Sequence, residues 1–259
     1  MILGVDAGNT NITFGLMDRE TIHCSFRITT TPYLTADELG VRILNILLSK
    51  GYTPEDITDI IVTSVVPSIM NSLIPGLKIY LKTVPTVLRN GEALGLPIET
   101  DHPNEVGMDR IVDMIAAVEI YGAPCIVVDF GTATTYDLVD ADGRYVAGVT
   151  APGIYTSLAG LVSKAAKLTN VEIVVPPTIM AKNTKDSMQA GVTYGQIGQA
   201  RYIIEQLRRE SGLDAKVVMT GGLGAVLADA LEDIHVYDVD LTLKGLRIIH
   251  GRLRGENEN

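Results

Sequence analysis

The feature that most constrains this chain is a turn that occurs twice. Asp6-Ala7-Gly8-Asn9-Thr10 recurs as Asp129-Phe130-Gly131-Thr132-Ala133-Thr134, 123 residues further along a chain of 259. Each copy ends a short apolar run (residues 2–7 and 125–129) and is followed by two more strand-like runs. A period near half the chain length points to two related lobes rather than a solenoid, whose repeat would be roughly 20–50 residues. At about 150 residues per domain the length allows one to two domains. The repeat sets the boundary near residues 118–124, giving an N-terminal lobe 1–120 and a C-terminal lobe 121–259.

Within the first lobe, residues 12–16 and 21–28 read as strands after the turn, and 59–66 and 83–88 as two more. Thr35-Ala36-Asp37-Glu38 opens a helix that Gly51 ends, residues 68–80 form a second, and a third runs from about 105 to 121. Residues 90–104 read as loop. In the second lobe, strands are expected at 125–129, 135–139 and 145–149, the last two joined by the hairpin turn Asp140-Ala141-Asp142-Gly143. Helices at about 153–167 and 187–211, strand 216–219, helix 223–231, strand 235–237 and helix 241–253 complete it, and 255–259 is a polar tail.

Composition narrows the partners. With 21 basic against 31 acidic residues, the net charge of −10 argues against a broad nucleic-acid surface, which needs clustered Lys and Arg. A small pocket lined by main-chain N–H groups still admits an anion. The 46% apolar content suits a globular chain, yet nothing approaches 18 consecutive apolar residues, so no membrane span is expected. Cys24 and Cys125 make no CxxC pair and are expected as reduced core thiols. The opening lacks a basic leader, and the expected location is cytoplasmic.

A strand ending in Asp-x-Gly followed by Asn or Thr brings a carboxylate, a small residue and hydroxyls onto one tight turn. Its N–H groups suit phosphate oxygens and its carboxylate suits hydrated Mg²⁺. One copy would be an ordinary hairpin turn, but two in register across duplicated lobes favour the polyphosphate reading. No P-loop or GxSxG motif occurs, and Gly222-Leu223-Gly224 lacks the rest of a dinucleotide fingerprint. Thr220-Gly221-Gly222 nonetheless puts glycines at a strand-to-helix junction, where a base or ribose could approach. Gly107-Met108-Asp109-Arg110 opens a helix. Asp109 there is either a dipole-stabilised cap or a base for an alcohol proton, and Arg110 either a surface charge or a hold on an anionic acceptor. The four histidines have no obvious partners and read as packing or surface residues.

These motifs, in this order and spacing, together with Asp240-Leu241-Thr242-Leu243-Lys244-Gly245-Leu246, resemble those of type III pantothenate kinases over nearly the whole chain. The resemblance implies a duplicated ribonuclease-H-like fold of the actin-like ATPase and sugar-kinase superfamily, α/β, each lobe a mixed sheet flanked by helices, with ATP between the lobes. It implies phosphorylation of the 4′-hydroxyl of pantothenate, the first step of coenzyme A synthesis, by a homodimer using Mg²⁺ and a monovalent cation, K⁺ or NH₄⁺. Residues 6–14, including Asp6, Ala7, Gly8, Asn9, Thr10, Asn11, Ile12 and Thr13, would form the first phosphate loop, with Asp6 near Mg²⁺. Asp129 would take the monovalent cation, Thr132 a phosphate, and Gly221 and Gly222 the nucleotide. Gly107, Met108, Asp109 and Arg110 would line the pantothenate site with Asp109 as proton acceptor, and Thr184 resembles a residue reaching the substrate across a dimer.

The chain departs from the family pattern at three places. Met108 stands where Ala is common, Ala147 where a Gly-Gly pair is common, and Thr100 where a Tyr often walls the substrate pocket. Two other readings therefore stay open: a non-catalytic nucleotide-binding regulator of the same fold, and a kinase for a different small alcohol.

Overall fold

The structure, a computed structural model, describes residues 1–89, 94–231 and 234–255. Parts of the expected 90–104 loop and of the 255–259 tail lie outside the described residues.

Two five-stranded sheets carry the fold, and they share one topology. In the first, β1 (Ile2–Ala7) pairs antiparallel with β2 (Asn11–Met17), which pairs antiparallel with β3 (Ile22–Thr29). On its other side β1 runs parallel to β4 (Asp59–Ser64), which pairs with β5 (Thr86–Val87). The second repeats this order with β6 (Cys125–Phe130) at the centre, β7 (Ala133–Val139) and β8 (Tyr145–Pro152) on one side, and β9 (Lys216–Thr220) and β10 (Val236–Tyr237) on the other. Even an irregularity repeats. Leu16 opposite Cys24 is followed by Met17 opposite Ile22, and Leu138 opposite Ala147 by Val139 opposite Tyr145, so His23 and Val146 are extra residues at matching places.

In the first unit, α1 (Ala36–Ser49) starts at a capping box in which Thr35 and Glu38 satisfy each other's main-chain N–H groups. Its Leu39, Ile43 and Leu47, with Ile69, Leu73 and Leu77 of α2 (Pro67–Leu81), bury the face of the sheet formed by Leu3, Val5, Phe14 and Leu16. The opposite face is covered by α7 (Leu241–Leu253), whose seat is a pair of strand glycines. A methyl group on Gly15 would lie 2.7 Å from Leu243, and one on Gly4 would lie 3.4 Å from Leu246. In the second unit, Ile154 and Leu158 of α4 (Ile154–Lys164) and Ile197, Ala200 and Ile204 of α5 (Thr184–Ser211) pack on Ile126, Val128, Tyr136 and Leu138.

Compact packing divides the chain otherwise than at a single cut near residue 120. The first unit takes Met1–Leu96, His102–Ala116 and the chain from Leu241 onward; the second takes Pro97–Asp101 and Ala117–Asp240. The last helix thus belongs with the first sheet, because its leucines fit the strand glycines there. Pro97–Asp101 joins the second because Tyr145 N–H donates to Pro97 O at 2.9 Å and Glu99 N–H to Tyr145 O at 2.8 Å.

Several boundaries differ from the sequence expectation. The fifth strand shrinks to Thr86–Val87, and α3 (Met108–Tyr121) starts after a separate 3₁₀ turn at Pro103–Glu105. The expected helix 223–231 is one α-turn, α6 (Gly224–Leu227), followed by a 3₁₀ turn at Ala228–Ala230. α5 starts at Thr184, three residues before the expected 187; its cap is Asn183, whose side chain accepts from Asp186 N–H at 2.9 Å.

Candidate functional site

The two repeated carboxylates occupy equivalent places. Asp6 stands near the end of β1 with Thr13 opposite it on β2 and Thr63 on β4; Asp129 stands on β6 between Thr135 on β7 and Thr220 on β9. Register partners share a face of the sheet, so each carboxylate is flanked by two hydroxyl-bearing side chains. The spacing of the motif had suggested the carboxylates, and Thr13 and Thr135 follow on the adjoining hairpin strands, whereas Thr63 and Thr220 come from distant strands.

The turns after them differ by one residue. The first ladder resumes from Ala7 opposite Ile12, the second from Phe130 opposite Thr134. Thr30 clamps the first turn, its hydroxyl donating to Gly8 O at 2.6 Å and its N–H to Thr10 O at 2.9 Å. Gly153 N–H at 3.1 Å and the Thr156 hydroxyl at 2.6 Å hold Thr132 O in the second. Asn9, Thr10, Asn11 and Thr132 are exposed, while Thr13 is half-buried. Ala7 and Ile12 are fully buried core residues, so only their main chain can serve a ligand.

Asp109 lies in the first turn of α3, where the helix dipole favours an anion. Its Oδ1 accepts the Arg110 main-chain N–H at 2.8 Å, and Gly107 leaves room for this folding-back, since a methyl there would lie 2.5 Å from Oδ1. Burial raises the Asp109 carboxyl above the ordinary aspartate value, while the Arg110 N–H and guanidinium pull it partly down. Val65 links this corner to the first turn. Its N–H donates to Ala7 O at 3.2 Å, and its side chain lies 3.6 Å from where a Gly107 methyl would be. Asp6, the first turn and residues 107–110, Met108 and Arg110 included, therefore belong to one corner of the first unit.

In the second unit Gly221 is in the left-handed region at φ +93°, and a methyl on it would lie 2.4 Å from Asp129 Oδ1 and 2.6 Å from Phe130 N. Only glycine fits there. Gly221 and Gly222 therefore lie beside Asp129 and the Thr132 turn. Thr100 belongs to the Pro97–Asp101 segment, which Arg144 also holds through Glu99 at 3.0 Å while pairing with Asp140 of its own hairpin at 2.9 Å. The Thr100 hydroxyl oxygen is buried and makes no hydrogen bond among the described residues. Thr184 is exposed on the wall of a cavity of about 580 Å³ between α4 and α5, with Leu161, Met188 and Gln196.

The donor set fits Mg²⁺·ATP. Among the described residues no three His, Cys, Asp or Glu side chains converge on a metal position. A cation at Asp6 or Asp129 would complete its shell with hydroxyl, phosphate and water oxygens, the usual habit of Mg²⁺ beside a nucleotide. No helix among the described residues is long and apolar enough to cross a membrane, and both cysteines are free.

The family model of type III pantothenate kinase matches residues 2–206. A type III pantothenate kinase of Agathobacter rectalis is 49% identical over 251 residues, 96% of each chain. One from Syntrophotalea carbinolica is 43% identical over 255 residues, 98% of this chain and 100% of that one. Among solved structures, an archaeal actin homolog superposes with a TM-score of 0.51 at 11% identity, covering 97% of this chain and 99% of its own. The fold is thus the duplicated ribonuclease-H-like fold of actin-like ATPases.

Proposed function

Because the chain belongs to the type III pantothenate kinase family, we propose a division of labour among its residues in that reaction. The protein is a kinase that uses ATP to phosphorylate pantothenate in coenzyme A biosynthesis. Asp109 accepts the proton of the 4′-hydroxyl as its oxygen bonds to the γ-phosphorus and the bond to ADP breaks. The product is 4′-phosphopantothenate, the first intermediate of the route. The observation that carries this reading is the placement of Asp109: half-buried, raised in pKa, and at a helix N-terminus beside a cationic residue. A loose phosphoryl-transfer transition state asks for little basicity, and a raised carboxylate supplies more than enough.

Arg110 holds the pantothenate carboxylate, with Gly107 and Met108 lining that pocket and Thr100 taking the place of an aromatic wall. Phosphate oxygens meet the main chain of residues 8–13 in the first turn and of Thr132 in the second; Asp6 holds Mg²⁺, and Gly221 and Gly222 the nucleoside side. Mg²⁺ supplies charge neutralisation on the phosphates. Asp129 takes K⁺ or NH₄⁺, supported by its two threonine neighbours. We assign a homodimer in the cytoplasm. The dimer is supported by the exposed stripe Gly191, Gly195, Gly198 and Tyr202 on α5, whose glycines leave nothing to block a second copy. Thr184 at the start of that helix then serves the partner's substrate. The cytoplasm is supported by the two unbridged cysteines.

The test is ADP release with pantothenate, Mg²⁺ and K⁺, alongside Asp109→Asn. The wild type should turn over, and the variant should lose roughly two to four orders of magnitude in kcat while remaining folded. A folded wild type that releases no pantothenate-dependent ADP overturns the reading. Exchange of K⁺ for Na⁺ should slow the reaction; equal rates would remove the cation role from Asp129.

A further inference from the structure

The carbonyl of Gly221 accepts two hydrogen bonds from behind the turn, one from Gly224 N–H at 3.0 Å and one from the Tyr237 hydroxyl at 3.1 Å. The tyrosine comes from β10, the edge strand, sixteen residues along the chain from Gly221. Its ring fits a space that only glycine leaves open, since a methyl on Gly224 would lie 2.4 Å from Cε2 and 3.0 Å from Cδ2. Hydroxyl and ring thus both press on one strand-to-helix junction, at Gly221 and at Gly224.

The consequence follows from peptide geometry. The bond joining Gly221 to Gly222 is trans, the one cis bond among the described residues being Ala123–Pro124. In a planar trans peptide the C=O and the following N–H point in opposite directions. Two donors on the Gly221 carbonyl therefore also aim the Gly222 N–H, on the side away from Tyr237. The same peptide unit lies against Asp129, whose Oδ1 is 2.4 Å from the position of a Gly221 methyl.

We propose that Tyr237 is a positioning residue for the nucleotide: by holding the Gly221 carbonyl it orients the Gly222 N–H as a donor to ATP and keeps the Gly221 main chain against Asp129. This rests on the reading that Gly221 and Gly222 face the nucleotide. Without the hydroxyl, the left-handed glycine keeps only the Gly224 bond and its peptide plane can swing.

The experiment is Tyr237→Phe in the full chain, which retains the ring and removes one hydroxyl. ATP dissociation constants, measured with Mg²⁺ by calorimetry, are compared with the wild type, as are thermal unfolding without nucleotide and the KM for each substrate. Loss of one hydrogen bond should weaken ATP binding about threefold to tenfold. The KM for ATP and the K⁺ concentration for half-activation should rise with it. The KM for pantothenate should stay within about twofold, a split that a general loss of stability would not produce. Unchanged ATP affinity, or equal rises in both KM values, overturns the proposal. If the wild type binds ATP but does not phosphorylate pantothenate, the affinity comparison still decides the role of Tyr237; a wild type that binds no ATP overturns this proposal together with the nucleotide assignment.

Discussion

Asp109 meets two demands that pull apart. A proton acceptor gains from burial, and burial makes the ionised carboxylate costly to keep in the folded chain. Its pKa is raised on folding, so the sign of the linkage is fixed: ionising Asp109 destabilises the fold above its folded pKa, and that cost vanishes once the pH falls below the unfolded value. Asp109→Asn, which can still accept the Arg110 N–H, should therefore melt at or above the wild-type temperature at pH 7 even as turnover collapses. A melting temperature several degrees lower would show that the negative charge stabilises the fold. For the wild type, the acid limb of kcat/KM should lie above 3.8, the ordinary aspartate value. The carboxylates Asp6, Asp109 and Asp129 were legible in the sequence because each sits in a short motif. Thr30, Val65, Gly153 and Tyr237 were not, because each reaches its partner from a distant part of the chain and carries no local signal of doing so.

Among the elements, the repeated strands were the easiest to read. Alternating apolar positions and the Asp-x-Gly turns are local, and the structure keeps them with the same strand order and the same one-residue irregularity in both sheets. The last helix was legible as a helix, but its docking partner was not. Amphipathic spacing says that a face must be buried and is silent on where. The seat is written in absences: Gly4 and Gly15 on the strands, and Gly245 on the helix itself, where a methyl would lie 2.4 Å from Val112 O of α3. A main-chain oxygen cannot turn aside, so Gly245→Ala should cost about 1–3 kcal/mol in chemical denaturation, the usual range for overpacking. A loss below about 0.5 kcal/mol would mean that α7 shifts freely over the sheet.

For the whole molecule, the duplication read at the start of the chain holds at the level of sheets but not of chain segments. The first unit is assembled from three stretches, the last of them beginning at Leu241. Arg252 donates to Leu94 O at 3.0 Å, and Arg254 pairs with Asp59, so this end is fastened as well as packed. A chain stopped after Asp240 should lose the first unit rather than an appendage. Its unfolding should broaden or split, and amide exchange should speed up in β1 and β2 while β6 and β7 stay protected. Uniform loss of protection in both sheets would instead mean that the two units unfold as one. The same architecture bears on how the protein is made. A ribosome delivers β1, β2, α1 and α2 long before α7, so one face of the earliest sheet waits uncovered until the chain beyond Leu241 has emerged. The nascent chain therefore has a long window in which that glycine-lined face is open to chaperones or to another unfinished chain, and emergence of α7, rather than of the strands it covers, is the step that closes it.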